Sequence, residues 1–367
     1  MIGDDAHISD EPDRLANIVA SMFSGQSGNG GLSARLANGA GVALLAGADA
    51  QDDCAVLRLS GEQELVVGSD YVRGAKFRLY EFGLLSDYDI GYYLVAANVS
   101  DIAAMGARPI GMLTVVRYPP TMTDTQFATV LRGIRDACAH FGAPNVGGDI
   151  GGSDSLVLSG TAFGVCLPGH ALMRGGARPG DLLCATGPTG IAGAAMSYFR
   201  SRRTSASIEQ EHRASLLASW TRPQARVREG EQLGSSGLAT SCQDTSDGLK
   251  ATVEAIAAAS GVGVTVDEQL IQPTPEVAAV CAFLDIDPMS IVFGDSVDFE
   301  LVFSLPKRNL DALTDVFAAN GLAFSVIGQV TAARDVLLHR LDGTHVPLPG
   351  KAWRHAPEQV SVNRKPI

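Results

Sequence analysis

Residues 243 to 249 read QDTSDGL, two aspartates and a serine within four positions, set between a run of small residues and an apolar helical pattern. Side-chain oxygens bunched at a turn from strand into helix suit a hard cation or a phosphate, because several lone pairs then point one way. Helix capping is the competing account. Leu249, Val253 and Ile256 recur at helical spacing, so Ser246 or Asp247 falls where a side-chain oxygen accepts from free amides. A cap explains one of these residues. It leaves Asp244, at the end of the preceding strand, and Gly248, at a helix start, without a reason.

The same kind of cluster recurs along the chain. QDDCAVL places Asp52 and Asp53 before a strand, and GSDYV puts Asp70 inside an apolar strand pattern. AANVSDIAAMGARP sets Asn98 and Asp101 on one face of an apolar helix that Gly106 ends, and NVGGDIGGSDS holds Asp149 in a glycine-rich turn after a helix. Any one of these is explained as a turn or cap residue. Together they bring unpaired carboxylates into apolar surroundings, where like charges raise one another's pKa unless a cation intervenes. Magnesium on a nucleotide triphosphate supplies such a cation, since it takes a few carboxylates plus phosphate oxygens.

The elements that must position these residues form two halves. Strand-like runs ELVVGSDYV, GMLTVVRY and SLVLSGTAFGVCL alternate with helical patterns near 88–105 and 124–141, which predicts an α+β domain over 35–168. The turn RGGARPGD opens a second, α/β domain over 169–367, with a strand at LLCATG, helices near 189–200 and 247–259, and strands at DFELVFSL, FSVIGQV and DVLLHRL. Residues 1–34 read as a flexible tail carrying the glycine- and serine-rich stretch SGQSGNGGLS. At 367 residues, 46% hydrophobic and 19% charged, the chain has material for two cores. A net charge of −12 without a basic patch argues against nucleic acid and anionic membrane surfaces. The chain lacks an apolar signal core and any run of about 18 uncharged apolar residues, so a cytoplasmic location and no membrane span are expected. The six cysteines are spread without a CxxC pair, as expected of buried thiols in a reducing compartment.

DDCAVL, NVSDIAAMGARP, GGD, RGGARPGDLLCATGPTGIAGAA, TRPQARV, DTSDGL and DFELVF occur in the order found in the thiamine-monophosphate kinase family, which the chain resembles from about residue 50 to near its C-terminus. That family is grouped with aminoimidazole ribonucleotide synthetase, selenophosphate synthetase and the hydrogenase-maturation carbamoyl dehydratase. The resemblance implies a ferredoxin-like N-terminal α+β domain that pairs into a dimeric β-barrel, so a homodimer, with ATP and Mg2+ in the cleft and a small-molecule phosphate acceptor, thiamine monophosphate. By the same likeness Asp52, Asp53, Asp70, Asp101, Asp149, Asp244 and Asp247 hold metal with Ser246 assisting. Asp244, Ser246, Asp247 and Asp149 are the implied catalytic set; Asp53, Asn98, Gly147, Gly148, Asp149 and Arg174 meet the nucleotide, and Lys76, Asp298 and Trp353 the acceptor. Arg73, Lys76, Arg174 and Arg222 are either phosphate-neutralising cations or solvated surface charges, and Trp353 either stacks on a ring or packs on its own domain.

Three positions depart from the family pattern. Gln51 replaces the glycine of a GDD motif, Lys76 a histidine, and Val297 the glutamate before a DYEL-like Asp298-Phe299-Glu300-Leu301. Hence other readings stay open: a kinase acting on another small metabolite, an ATP-dependent cyclo-ligase or dehydratase that releases phosphate, or a non-catalytic nucleotide binder. Selenophosphate synthesis would need a reactive cysteine in the glycine-rich loop at 24–33, which has none.

Overall fold

The computed structural model describes residues 43–46, 52–58, 61–72, 78–201 and 208–351. Two mixed sheets carry the chain, one in each half, giving a two-domain α+β fold. The first has six strands, β1 (Ala43–Ala46), β2 (Ala55–Arg58), β3 (Glu64–Val72), β4 (Arg108–Tyr118), β5 (Asn145–Gly152) and β6 (Val157–Cys166), ordered β1-β2-β3-β6-β4-β5. Residues alternate along β6 between buried and half-buried, as expected of a sheet covered on one face.

Two long helices provide that cover, α1 (Asp87–Ala104) and α2 (Asp124–Phe141). Each starts with a capping box, Ser86 with Asp89 and Thr123 with Gln126, and α2 ends on Gly142 in the left-handed conformation. They cross closely because Gly91 and Gly133 lie at the contact. A Cβ on Gly133 would fall 2.0 Å from the carbonyl oxygen of Tyr88.

The chain order β3-α1-β4-α2-β5-β6 is not the βαββαβ of a ferredoxin-like domain. Helix α2 follows β4 directly and returns the chain so that β5 lies parallel to β4, which a short hairpin could not do. Residues 145–152 therefore form an edge strand, and Asp149 lies within it rather than in a turn. Glycine is needed there, since a Cβ on Gly148 would meet Thr114 O at 1.7 Å.

The second sheet has seven strands: β7 (Asp181–Ala185), β8 (Ser241–Asp244), β9 (Gly263–Asp267), β10 (Leu301–Pro306), β11 (Ser325–Thr331), β12 (Val336–His339) and β13 (His345–Pro347). Their order is β13-β12-β9-β11-β7-β10-β8. The half expected as an α/β domain carries a mixed sheet, its pairs antiparallel except for β9 with β12. Helices cover both faces. Along β10, Leu301, Phe303 and Leu305 join one apolar cluster with Leu313 and Phe317, and Val302 joins the other with Val253 and Ile256. The helices of this half are α3 (Ile191–Arg200), α4 (Gln210–Thr221), α5 (Val227–Ser236), α6 (Leu249–Ser260), α7 (Pro275–Leu284), α8 (Pro288–Val292) and α9 (Leu310–Ala319). All six cysteines are free and buried. Among the described residues no helix is long and apolar enough to cross a membrane.

Helix α1 is the axle between the halves. Its outer face would be solvated in an isolated first half, yet residues 90 to 100 are buried throughout. Tyr93 stacks on Trp220 of α4 at 5.9 Å between ring centroids, and Gly230 and Gly234 of α5 sit against Ala103 and Gly106.

Candidate active site

Asp101 projects from the last turns of α1, beside Ser100 and one turn after Asn98. Asn98 is fully buried and holds two elements together: its amide donates to Leu94 O at 2.9 Å and its Oδ1 accepts the Asp70 N–H at 3.0 Å. Its side chain is thus committed to joining α1 to β3. Gly68 on β3 leaves room for the approach, since a Cβ there would fall 2.5 Å from Cys54 Sγ and 3.7 Å from Asp101 Cβ.

Asp244 ends β8, the edge strand of the second sheet, and reaches across the seam. Ser100 Oγ donates to its Oδ2, Ser246 Oγ donates to its Oδ1 at 2.9 Å, and Thr252 Oγ1 donates to its backbone carbonyl at 2.9 Å. Asp53, just before β2, completes the cluster. One carboxylate oxygen from each of Asp53, Asp101 and Asp244 falls within 4.8 Å of the other two. Two halves of the chain thus supply one carboxylate site.

The cluster's electrostatics are those of a cation site. Burial raises the Asp53 carboxyl to about 6; Arg174 opposes the rise, and Asp52 and Asp247 add to it. Burial, then the charge of Asp53, pushes Asp244 up to about 7 against the hydrogen bonds from Ser100 and Ser246. Arg174 reaches over from the second half to pair with Asp53 Oδ1, while its backbone N–H donates to Asp52 Oδ2 at 2.9 Å. Asp53 Oδ2 is buried with no hydrogen-bond partner among the described residues. A divalent cation fits this donor set: hard oxygens, excess negative charge and one oxygen left over.

Other expected residues fall elsewhere. Asp247 is near enough to raise both Asp53 and Asp244. It does not cap α6, whose N-cap is Gly248 at φ +91° with no side-chain cap bond; nor does Ser246. Glycine is required at 248 because a Cβ would meet Gly294 O at 2.0 Å. Asp70 lies outside the three-carboxylate group, and its Oδ1 accepts from the Tyr71 N–H at 2.6 Å. Asp149 pairs with Arg117 at 2.5 Å, which holds its carboxyl below the usual range, and its register partner is Val115. Gly147 and Gly148 share that edge strand, so within one chain the GGD stretch is apart from the cluster.

Asp298 is half-buried, and its oxygens accept the N–H groups of Gly190 at 2.6 Å and Ala192 at 3.0 Å. It anchors the N-terminus of α3, which has no side-chain cap of its own. Arg222 is neither at the cluster nor freely solvated. Its guanidinium lies 4.6 Å from the Tyr88 ring centroid and 5.1 Å from that of Tyr92, and it bonds Asp89 at 2.8 Å, clasping α1 to the end of α4. Gln51, Arg73, Lys76 and Trp353, with the N-terminal tail, lie outside the described residues.

Sequence reasoning passed over Ser100 and the buried pair of Arg226 with Glu300. Ser100 precedes Asp101 in NVSD, a hydroxyl on a helix face with no need of a cap. Arg226 lies in TRPQARV and makes a two-pronged contact with Glu300, to which Thr186 Oγ1 also donates at 2.6 Å.

Residues 51–166 match the family model for the AIR synthase related protein, N-terminal domain, and residues 178–339 match the one for its C-terminal domain. The thiamine-monophosphate kinase of Halobacterium salinarum is 35% identical over 269 residues, which span 73% of this chain and 84% of that relative. The crystal structure of thiamine-monophosphate kinase from Stenotrophomonas maltophilia K279a superposes with a TM-score of 0.68 at 27% identity, covering 85% of this chain and 95% of that one. AaThiL, solved in complex with AMPPCP and TMP, shares the fold with a TM-score of 0.71 at 23% identity, over 83% of this chain and 91% of its own. By sequence, fold and order of motifs, the chain belongs to the thiamine-monophosphate kinase family.

Proposed function

We infer that this chain is an ATP-dependent kinase that moves the γ-phosphate of ATP onto the phosphate of thiamine monophosphate, making thiamine diphosphate and ADP. The observation that carries the reading is the seam cluster of Asp53, Asp101 and Asp244 with its unpartnered buried oxygen, in a chain of this family. The acceptor phosphate is largely ionised near neutral pH, so the oxygen that attacks needs no strong base, and alignment and charge neutralisation are the main tasks.

Asp53, Asp101, Asp244 and Asp247 would hold Mg2+, with Asp52, Asp70, Asp149 and Ser246 assigned supporting places. Magnesium, when bound, supplies positive charge against the triphosphate and the transferring group. Ser100 and Ser246 orient Asp244 through their hydrogen bonds. Arg174 is placed to turn from Asp53 toward a phosphate oxygen, and Gly147 and Gly148 are assigned a close backbone approach to phosphate. The hydrogen bonds of Asp298 support a role in holding α3 and the turn before it, with the acceptor met indirectly.

The reading extends to a homodimer in which the first sheets of two copies face each other and close a barrel. The edge of β5 pairs with no further strand among the described residues and has Val146 and Ile150 exposed with Leu113 beside it, which supports this. It further takes 35–168 as the nucleotide- and metal-binding domain, 169–367 as its partner domain, and a cytoplasmic location.

Incubation of the protein with ATP, Mg2+ and thiamine monophosphate tests the central claim, with thiamine diphosphate, ADP and free phosphate followed together. Thiamine diphosphate in step with ADP supports the kinase reading. ADP matched by free phosphate would replace it with the dehydratase or cyclo-ligase class. ATP binding without turnover would move the acceptor elsewhere, with Val297 the first position to examine.

A further inference from the structure

At the edge of the second sheet farthest from Asp244, three side chains line up across three strands. His339 on β12 is the register partner of His345 on antiparallel β13 and of Asp267 on parallel β9. The two imidazoles stack with centroids 4.8 Å apart and planes 29° apart, so both rings stand on the same face of the sheet. Asp267 Oδ1 accepts the Gln269 N–H at 3.0 Å, which fixes the carboxylate and leaves Oδ2 3.6 Å from His339 Nδ1.

We infer that His339 and His345 form a two-imidazole site for a late first-row divalent cation such as Zn2+ or Cu2+, with Asp267 orienting His339 from behind. Directly opposed residues on neighbouring strands have Cβ atoms about 4.5 to 5.5 Å apart, a span that lets two rings close on one ion. A carboxylate facing Nδ1 fixes the proton on that nitrogen and leaves Nε2 as the ligand, the arrangement that steadies metal-bound histidines. Imidazole nitrogens select Zn, Cu and Ni over the oxygen-seeking Mg2+. Five strand spacings separate β12 from β8, roughly 24 Å at about 4.8 Å each, so this site is independent of the carboxylate cluster. A bound ion would tie β12 to β13, with Asp267 linking the His339 ligand to β9.

Zn2+ is titrated calorimetrically into the full chain under a large excess of Mg2+, which keeps the carboxylates occupied, and Cu2+ is followed by electron paramagnetic resonance. One equivalent bound, with hyperfine structure from two nitrogens, is expected. His339→Gln and His345→Gln should each abolish that binding, and Asp267→Asn should weaken it about 10- to 100-fold, all three with kinase turnover unchanged. Equal Zn2+ stoichiometry and affinity in the doubly substituted chain would overturn the assignment, as would a Cu2+ spectrum showing a single nitrogen.

Discussion

A buried carboxylate whose pKa is raised binds a proton in the folded chain that the unfolded chain gives up. Asp244, at about 7, and Asp53, at about 6, therefore make the metal-free protein lose stability as pH rises from near 3.8 through about 7, after which the loss is complete. A bound divalent cation removes the reason for that loss. Mg2+ should raise Tm more at pH 8 than at pH 5.5, and an equal rise at both would refute the cluster as the cation site. Asp244→Asn should lower turnover on the order of 100-fold or more, by analogy with removing one charge-stabilising group, while raising the metal-free Tm. Arg174→Met should do the reverse to the metal-free protein: it strands Asp53, lowers Tm, and leaves most of the loss recoverable with Mg2+. Each aspartate was legible as costly where it stood. Which three converge was not, because Asp53 and Asp101 meet only through packing inside the first half and Asp244 joins them only across the seam. The anchoring bonds of Asp298 were illegible for the same reason, its helix partners Gly190 and Ala192 being 108 and 106 residues away.

Helices and strands with strong periodicity were legible nearly to their ends. The patterns near 88–105 and 124–141 become 87–104 and 124–141, and the one near 247–259 becomes 249–260. Edge strand β5 was not legible, since NVGGDIGG has no alternation and glycine is disfavoured in strands; only the parallel pairing with β4 extends it. Helix–helix contacts were equally hidden, because a glycine in a helix reads as a weakness until its neighbour is known. Two substitutions separate stability from alignment. Gly133→Ala drives a Cβ into Tyr88 O between α1 and α2, inside the first half, and should cost about 1–3 kcal/mol of stability. Gly230→Ala meets Ala103 O at 2.2 Å, at the seam. It pushes α5 off the end of α1 and so parts Asp101 from Asp244. Denaturation midpoints and kcat/KM for both variants should show the first hurting Tm more and the second hurting kcat/KM more. The opposite ranking would mean that the seam does not set the cluster's geometry.

On the scale of the whole molecule, composition pointed to two globular halves and away from nucleic acid, but it carried no information on how their surfaces are finished. The first sheet ends in β5, eight residues whose outer backbone groups pair with no other strand among the described residues. Val146 is 61% and Ile150 56% exposed on that strand, beside Leu113 on β4. Proteins that remain monomeric blunt such an edge with charges, prolines or a covering loop. Here the charge on the strand is Asp149, and Arg117 on β4 already neutralises it. An apolar edge that no other described residue covers, with its one carboxylate compensated, supports the proposed pairing with a second copy. Ile150→Lys places an uncompensated charge there at a side chain already 56% exposed, so Tm should change little. Light scattering after size exclusion should give a dimer mass for the unsubstituted chain and a monomer mass for the variant. Turnover measured on the same samples then decides what the dimer is for. A stable monomer with full activity would confine the active site to the seam of one chain and remove Asp149 from it. A stable but inactive monomer would mean that β5, with Gly147, Gly148 and Asp149, serves the site across the dimer, where one chain alone cannot bring it.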